Sequence, residues 1–213
     1  MKTKDLIIIL SLVTGAILGG YIMGVESSEP EMADPHAGHS HEPEVQVANR
    51  GERKVTLKDG YEQIGLIQAR VPKTWKREQP SSSMRIAQFA IPGKNGAGEM
   101  IVFSGIGGSV DANLERWYGQ FKPEGDESVS EGAEKKHFHV NELETTISFA
   151  TGTYLKSSMG MGGAVSEMKN YALLAAIIIA PDGPYYFKGT GPLSTMEENR
   201  HVFDAFVQSI EKL

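Results

Sequence analysis

Tyr171-Ala-Leu-Leu-Ala-Ala-Ile-Ile-Ile-Ala180 runs for ten residues without a charge or a polar face. That is half of the ~20 residues a membrane-crossing helix needs. The run therefore predicts a central strand covered on both sides of its sheet. Pro181-Asp-Gly-Pro184 follows as a turn, and Tyr185 to Thr190 pairs back with the strand.

Two further hairpins lie upstream. Met84 to Ile91 alternates, with Ala87, Phe89 and Ile91 on one face and Arg85 and Gln88 on opposite faces. The Gly/Pro-rich loop Pro92–Gly98 returns the chain into Glu99–Phe103 as an antiparallel partner. Lys135–Val140 and Leu143–Thr151 form the second hairpin, turning at Asn141-Glu142. Earlier still, Lys58-Asp-Gly60 reads as a turn and Ile64–Val71 as one strand. Pro72–Trp75 turns out of that strand, with the Trp75 indole as a core or rim anchor.

Helices are few. Val110, Leu114, Trp117 and Phe121 make one helical stripe, started by Ser109 or Asp111 as cap. Ser194-Thr-Met-Glu197 spells a capping box for a last helix. Its expected stripe is Met196, Phe203, Phe206, Val207, Ile210 and Leu213. The fold class that results is α+β, an antiparallel sheet flanked by helices over residues 53–213, preceded by one N-terminal transmembrane helix.

That membrane element is Leu6–Gly24, nineteen uncharged residues after Lys2, Lys4 and Asp5. Its length favours an uncleaved anchor in residues 1–24 over a secretory signal, and the small-x-small cleavage pattern is incomplete. The alternative is a domain secreted after cleavage. Either way the remainder crosses the membrane, and the lysines keep the N-terminus cytoplasmic. Residues 25–52 read as a disordered acidic linker, since they hold three prolines and no aromatic side chain.

Composition excludes several classes. There is no cysteine, so thiol catalysis, thiolate metal sites and lipoprotein attachment are ruled out. Residues 26–50 carry six acids and one arginine, while residues 51–213 are nearly balanced with 18 basic and 20 acidic side chains. A domain without a basic stripe is a poor partner for nucleic acid. No GxSxG, HExxH, paired-carboxylate or Cys-His arrangement marks an enzyme. The lone His201 beside the last helix's stripe reads as packing or surface.

Candidate sites remain in four places. His36, His39 and His41 in the linker, with Asp34 and Glu42, have the donors for Cu(II), Ni(II) or Zn(II). Met159, Met161 and Met168 in the glycine-rich stretch 157–168 offer thioethers suited to Cu(I). His137 and His139 are two apart, so they share one face of a strand, but no third ligand is evident nearby in sequence. Gly105, Gly107, Gly108 and Ser109 precede the mid-chain helix. The glycines lack the spacing of a phosphate-binding loop. With Trp117, Tyr118 and the methionine loop they form a candidate partner surface.

The segment Ala69-Arg-Val-Pro-Lys-Thr-Trp75 and the closing strand-to-helix stretch Tyr185–Leu213 resemble the PsbP-like α/β/α sandwich over roughly residues 60–212. That is the fold of the extrinsic photosystem II protein and of a Ran-binding nuclear transport factor. The resemblance implies architecture; residues for a manganese cluster or for Ran contact are not matched. Gly108–Phe121 is also similar to exported bacterial proteins of unknown function. The expectation is a membrane-tethered extracytoplasmic binding or assembly module with a protein partner near the membrane. The alternative is a periplasmic copper- or zinc-handling protein.

Overall fold

The computed structural model describes residues 56–157 and 165–213. Leu6–Gly24, the linker histidines His36, His39 and His41, and Met159 and Met161 all lie outside the described residues. No helix among the described residues is long and apolar enough to cross a membrane.

Two antiparallel sheets and three short helices make up the domain. The small sheet contains β1 (Glu62–Ile64), β2 (Ile67–Ala69) and β11 (Glu211–Lys212), with β2 in the middle. The large sheet contains β3 (Lys76–Glu78), β4 (Arg85–Ile91), β5 (Gly98–Ser104), β6 (Phe121–Lys122), β7 (Glu134–Val140), β8 (Leu143–Ser157), β9 (Val165–Ala180) and β10 (Gly183–Pro192). Its order is β3-β4-β5-β10-β9-β8-β6, with β7 also pairing β8. The helices are α1 (Val110–Tyr118), α2 (Leu193–Glu198) and α3 (Arg200–Gln208).

Strand β9 sits between β8 and β10, the central place its apolar run predicts. Its side chains alternate between two cores. Ala172, Leu174, Ala176 and Ile178 enter the first, with Phe187 and Phe206; Leu173, Ala175 and Ile177 enter the second, with Leu114 and Trp117. The helices α2 and α3 and the small sheet cover the first face, and α1 covers part of the second. Arg200 reinforces the first cover by lying over the Phe149 ring, 4.1 Å from its centroid, and clamping Glu134 with two hydrogen bonds.

Several local expectations change. Ile64–Val71 is split into β1 and β2 by a turn at Gly65, whose φ of +65° favours glycine. A Cβ there would also lie 2.7 Å from the Tyr185 hydroxyl. Arg85 and Gln88 lie together and not on opposite faces: a bulge between Arg85 and Ala87 shifts the alternation, and the guanidinium donates to Gln88 Oε1 at 2.7 Å. The mid-chain helix ends at Tyr118, with Gly119 as C-cap, and Phe121 belongs to β6. The capping box does not form. Pro192 precedes α2 without a side-chain cap, and Ser194 Oγ accepts from Asn95 instead. A break at Asn199 then separates α2 from α3, and Leu213 is 40% exposed outside the stripe. Residues 165–168, expected as loop, are strand in β9.

Candidate functional site

A large recess among the described residues is an open groove of about 970 Å³ between α3 and the chain from Asp59 to Trp75. That volume is at the upper end of ordinary ligand pockets, ~300–1,000 Å³. One wall is a tight turn. Tyr61 N–H donates to Lys58 O at 3.0 Å, and Gly60 takes the left-handed φ of +73° that lets the chain reverse. The turn presents Tyr61, half-buried, with Arg70 stacked 5.3 Å from its ring centroid. A planar guanidinium over an aromatic face holds both groups in place.

The opposite wall is α3. His201, Val202, Ala205 and Phe206 recur at helical spacing and line the groove beside the core stripe. Val71, Pro72 and Trp75 complete an apolar floor. Trp75 is buried, and its indole N–H donates to Asn199 Oδ1 at 3.2 Å, so its ring is fixed as floor. Asn199 is itself held by hydrogen bonds from its amide to Pro92 O and Thr195 O. Asp59, Glu62, Arg70 and Lys73 put both signs of charge on the rim. Glu62 is already paired with Arg77 at 2.7 Å.

A second polar feature lies on the α1 face of the large sheet. Lys188 of β10 is only 8% exposed and donates to Gln120 Oε1, with its ammonium 5.7 Å from the Tyr154 ring centroid. Burial pushes its amine down to about 8, against the pull of nearby Glu99. Glu99 in turn accepts from Arg85 at 3.1 Å. On the other face, burial and a hydrogen bond to Asp182 push the Tyr185 hydroxyl up to about 12. That hydroxyl also accepts from Leu66 N–H at 2.8 Å, tying the large sheet to the small one.

The candidate partner surface is not assembled as expected. Gly105, Gly107, Gly108 and Ser109 are exposed at the start of α1, but Trp117 and Tyr118 are buried at 3% and 5% exposure. Trp117 meets Tyr186 edge-on, and the Tyr118 hydroxyl is 2.6 Å from Ser148 Oγ. The glycine turn leaves β5 at the level of Ile178, whereas the described part of the methionine stretch begins at Val165 on the same strand β9. At ~3.3 Å per residue, these are about 40 Å apart along the sheet. The turn also uses its own polar groups. Ser109 Oγ accepts from Ala112 N–H, and Asn113 donates to Gly107 O and Ser109 O.

Met168 lies half-buried on β9, opposite Tyr154, beside a depression that includes Tyr171, Leu193 and Glu197. His201 is exposed on the groove wall. Among the described residues, no three His, Asp or Glu side chains already converge on a metal position. Neither the family models nor the curated proteins compared with the sequence match it.

Sequence reasoning missed the groove because its walls are more than 120 residues apart. The one local signal was Pro72–Trp75, a turn ending in a large aromatic.

Proposed function

We propose that this chain is a membrane-tethered extracytoplasmic binding module on a PsbP-like sandwich, with the groove beside α3 as its capture site. The observation that carries this reading is the groove itself: an apolar floor, an aromatic wall and a rim of mixed charge. That chemistry suits an extended peptide segment of a protein partner, whose apolar side chains fill the floor while charged ones meet Asp59, Arg70 and Lys73. The uncharged run Leu6–Gly24 and the acidic stretch after it support placing this domain on a tether at the outer side of a membrane.

Photo-crosslinking tests it. A photoreactive residue at the exposed groove position 205 should crosslink, in native membranes, to an apolar, charge-flanked segment of one protein. Ala205→Trp combined with a photoreactive residue at position 73 should abolish that product by filling the groove. Equal capture from a photoreactive residue at position 112, exposed on α1 over the other face of the sheet, would overturn the assignment.

A further inference from the structure

The β7–β8 hairpin supplies what the sequence withheld from His137 and His139. The register sets His139 directly opposite Glu144 and His137 directly opposite Thr146. Directly opposite residues share a sheet face, with Cβ atoms about 4.5–5.5 Å apart. His137, His139 and Glu144 therefore stand together on one face, and all three are exposed.

The side chains differ in how they are held. Thr146 Oγ1 lies 2.8 Å from His137 Nδ1. Thr146 is buried, so this contact fixes the imidazole from beneath and leaves Nε2 toward solvent. A hydrogen bond to the non-ligating nitrogen is the usual device for orienting a metal-binding histidine. Among the described residues, no side-chain hydrogen bond or ion pair holds His139 or Glu144, whose backbones lie in the ladder. Their side chains are free to swing through ordinary strand rotamers.

The platform beneath them is rigid. Asn141 and Glu142 both take positive φ, 46° and 69°, the pattern of a tight two-residue hairpin. Val140 and Leu143 are buried on either side of the turn, and Asn141 Nδ2 donates to Ile210 O at 2.8 Å. The strand positions carrying the three ligands are thus fixed relative to one another.

We infer that His137, His139 and Glu144 form a surface site for a divalent transition metal of the zinc or copper class. Two imidazoles and one carboxylate are a known zinc donor set, and imidazole suits Cu(II) as well. The two histidines are the principal ligands, Glu144 closes the set by rotating toward His139, and Thr146 is a positioning residue. This site is independent of the linker histidines and of the groove.

The test uses the full chain in detergent, with His36, His39 and His41 changed to Ala so that the linker cannot contribute. Calorimetric titration with ZnCl2, and separately with CuCl2, should show one bound ion and a metal-dependent rise in the thermal midpoint. His137→Ala or His139→Ala should weaken binding more than tenfold and remove the thermal rise. Glu144→Gln should weaken it severalfold, and Thr146→Val about tenfold by releasing the ring. Lys135→Ala, on the same face but paired with Asp111, should change nothing. Thermal midpoints measured without metal identify any variant whose fold is damaged, and His139→Lys then serves as the exposed replacement. Binding that survives loss of both histidines, or no binding at all, overturns the site.

Discussion

The two faces of the large sheet are built by the same strands, yet one is dry and the other is not. On the first, Phe89, Met100, Phe187, Phe203 and Phe206 join one continuous apolar cluster closed by two helices and a second sheet. On the second, α1 closes a smaller cluster, and beyond it the buried positions turn polar at Gln88 and Lys188. Strand β10 makes the contrast within a few residues: Phe187 points to the dry side and Lys188 to the other. A single strand can carry one requirement for packing and another for charge because its faces alternate. The cover decides which of these dominates stability.

The contrast breaks most severely on the dry side. Phe206 is fully buried, with ring centroids 5.4 Å from Trp75 and 5.5 Å from Phe187. Phe206→Ala should cost about 3–5 kcal/mol in urea denaturation, and it also cuts into the groove wall.

The polar side should respond in the opposite direction. An amine lowered from 10.5 to about 8 is penalised for carrying its proton in the folded state. The penalty is complete below pH 8, shrinks as pH rises from 8 to 10.5, and is absent above; at 1.36 kcal/mol per pH unit it amounts to about 3 kcal/mol. Lys188→Met should therefore stabilise the protein at pH 7 by about 1–2 kcal/mol, once the lost hydrogen bond to Gln120 is subtracted. The gap between variant and wild type should nearly close around pH 9 and reverse by pH 10, where most of the penalty has gone and the lost hydrogen bond remains. A gap that stays constant with pH would mean that burial of the charge is not the cause.

The smallest effect tests the cover of the polar side. Ser109 Oγ accepts from Ala112 N–H at 3.1 Å at the start of α1. Ser109→Ala should lower stability by about 1 kcal/mol in the same denaturation assay and leave the pH dependence of Lys188 unchanged.

What could be read in advance follows the range of each interaction. The central place of β9, the turn at Asn141-Glu142, the hairpin through Pro92–Gly98 and the stripe of α1 depend on neighbours within a few residues. The split at Gly65 does not, because Tyr185 comes from 120 residues later to make the turn tight. The end of α1 was missed because Phe121 continues the helical spacing while pairing with Tyr154 across a strand. Nothing local singles out Lys188; only the arrival of Gln120 and Tyr154 from other elements buries it. At the metal-site candidate, the two histidines were visible by spacing, and Glu144 was not, since a hairpin register is needed to place it. The groove was the least legible, being a property of two distant segments and of neither alone.

The small sheet also imposes an order in time. Strand β2 is made early, but its other partner, β11, comes 143 residues later, where Gln68 meets Glu211. A hairpin of two three-residue strands is too small to persist alone in water. The wall carrying Tyr61 and Arg70 therefore gains its lasting support only after α3 and β11 have left the ribosome. A growing chain can already hold its long β8–β9 ladder while it still lacks a finished groove.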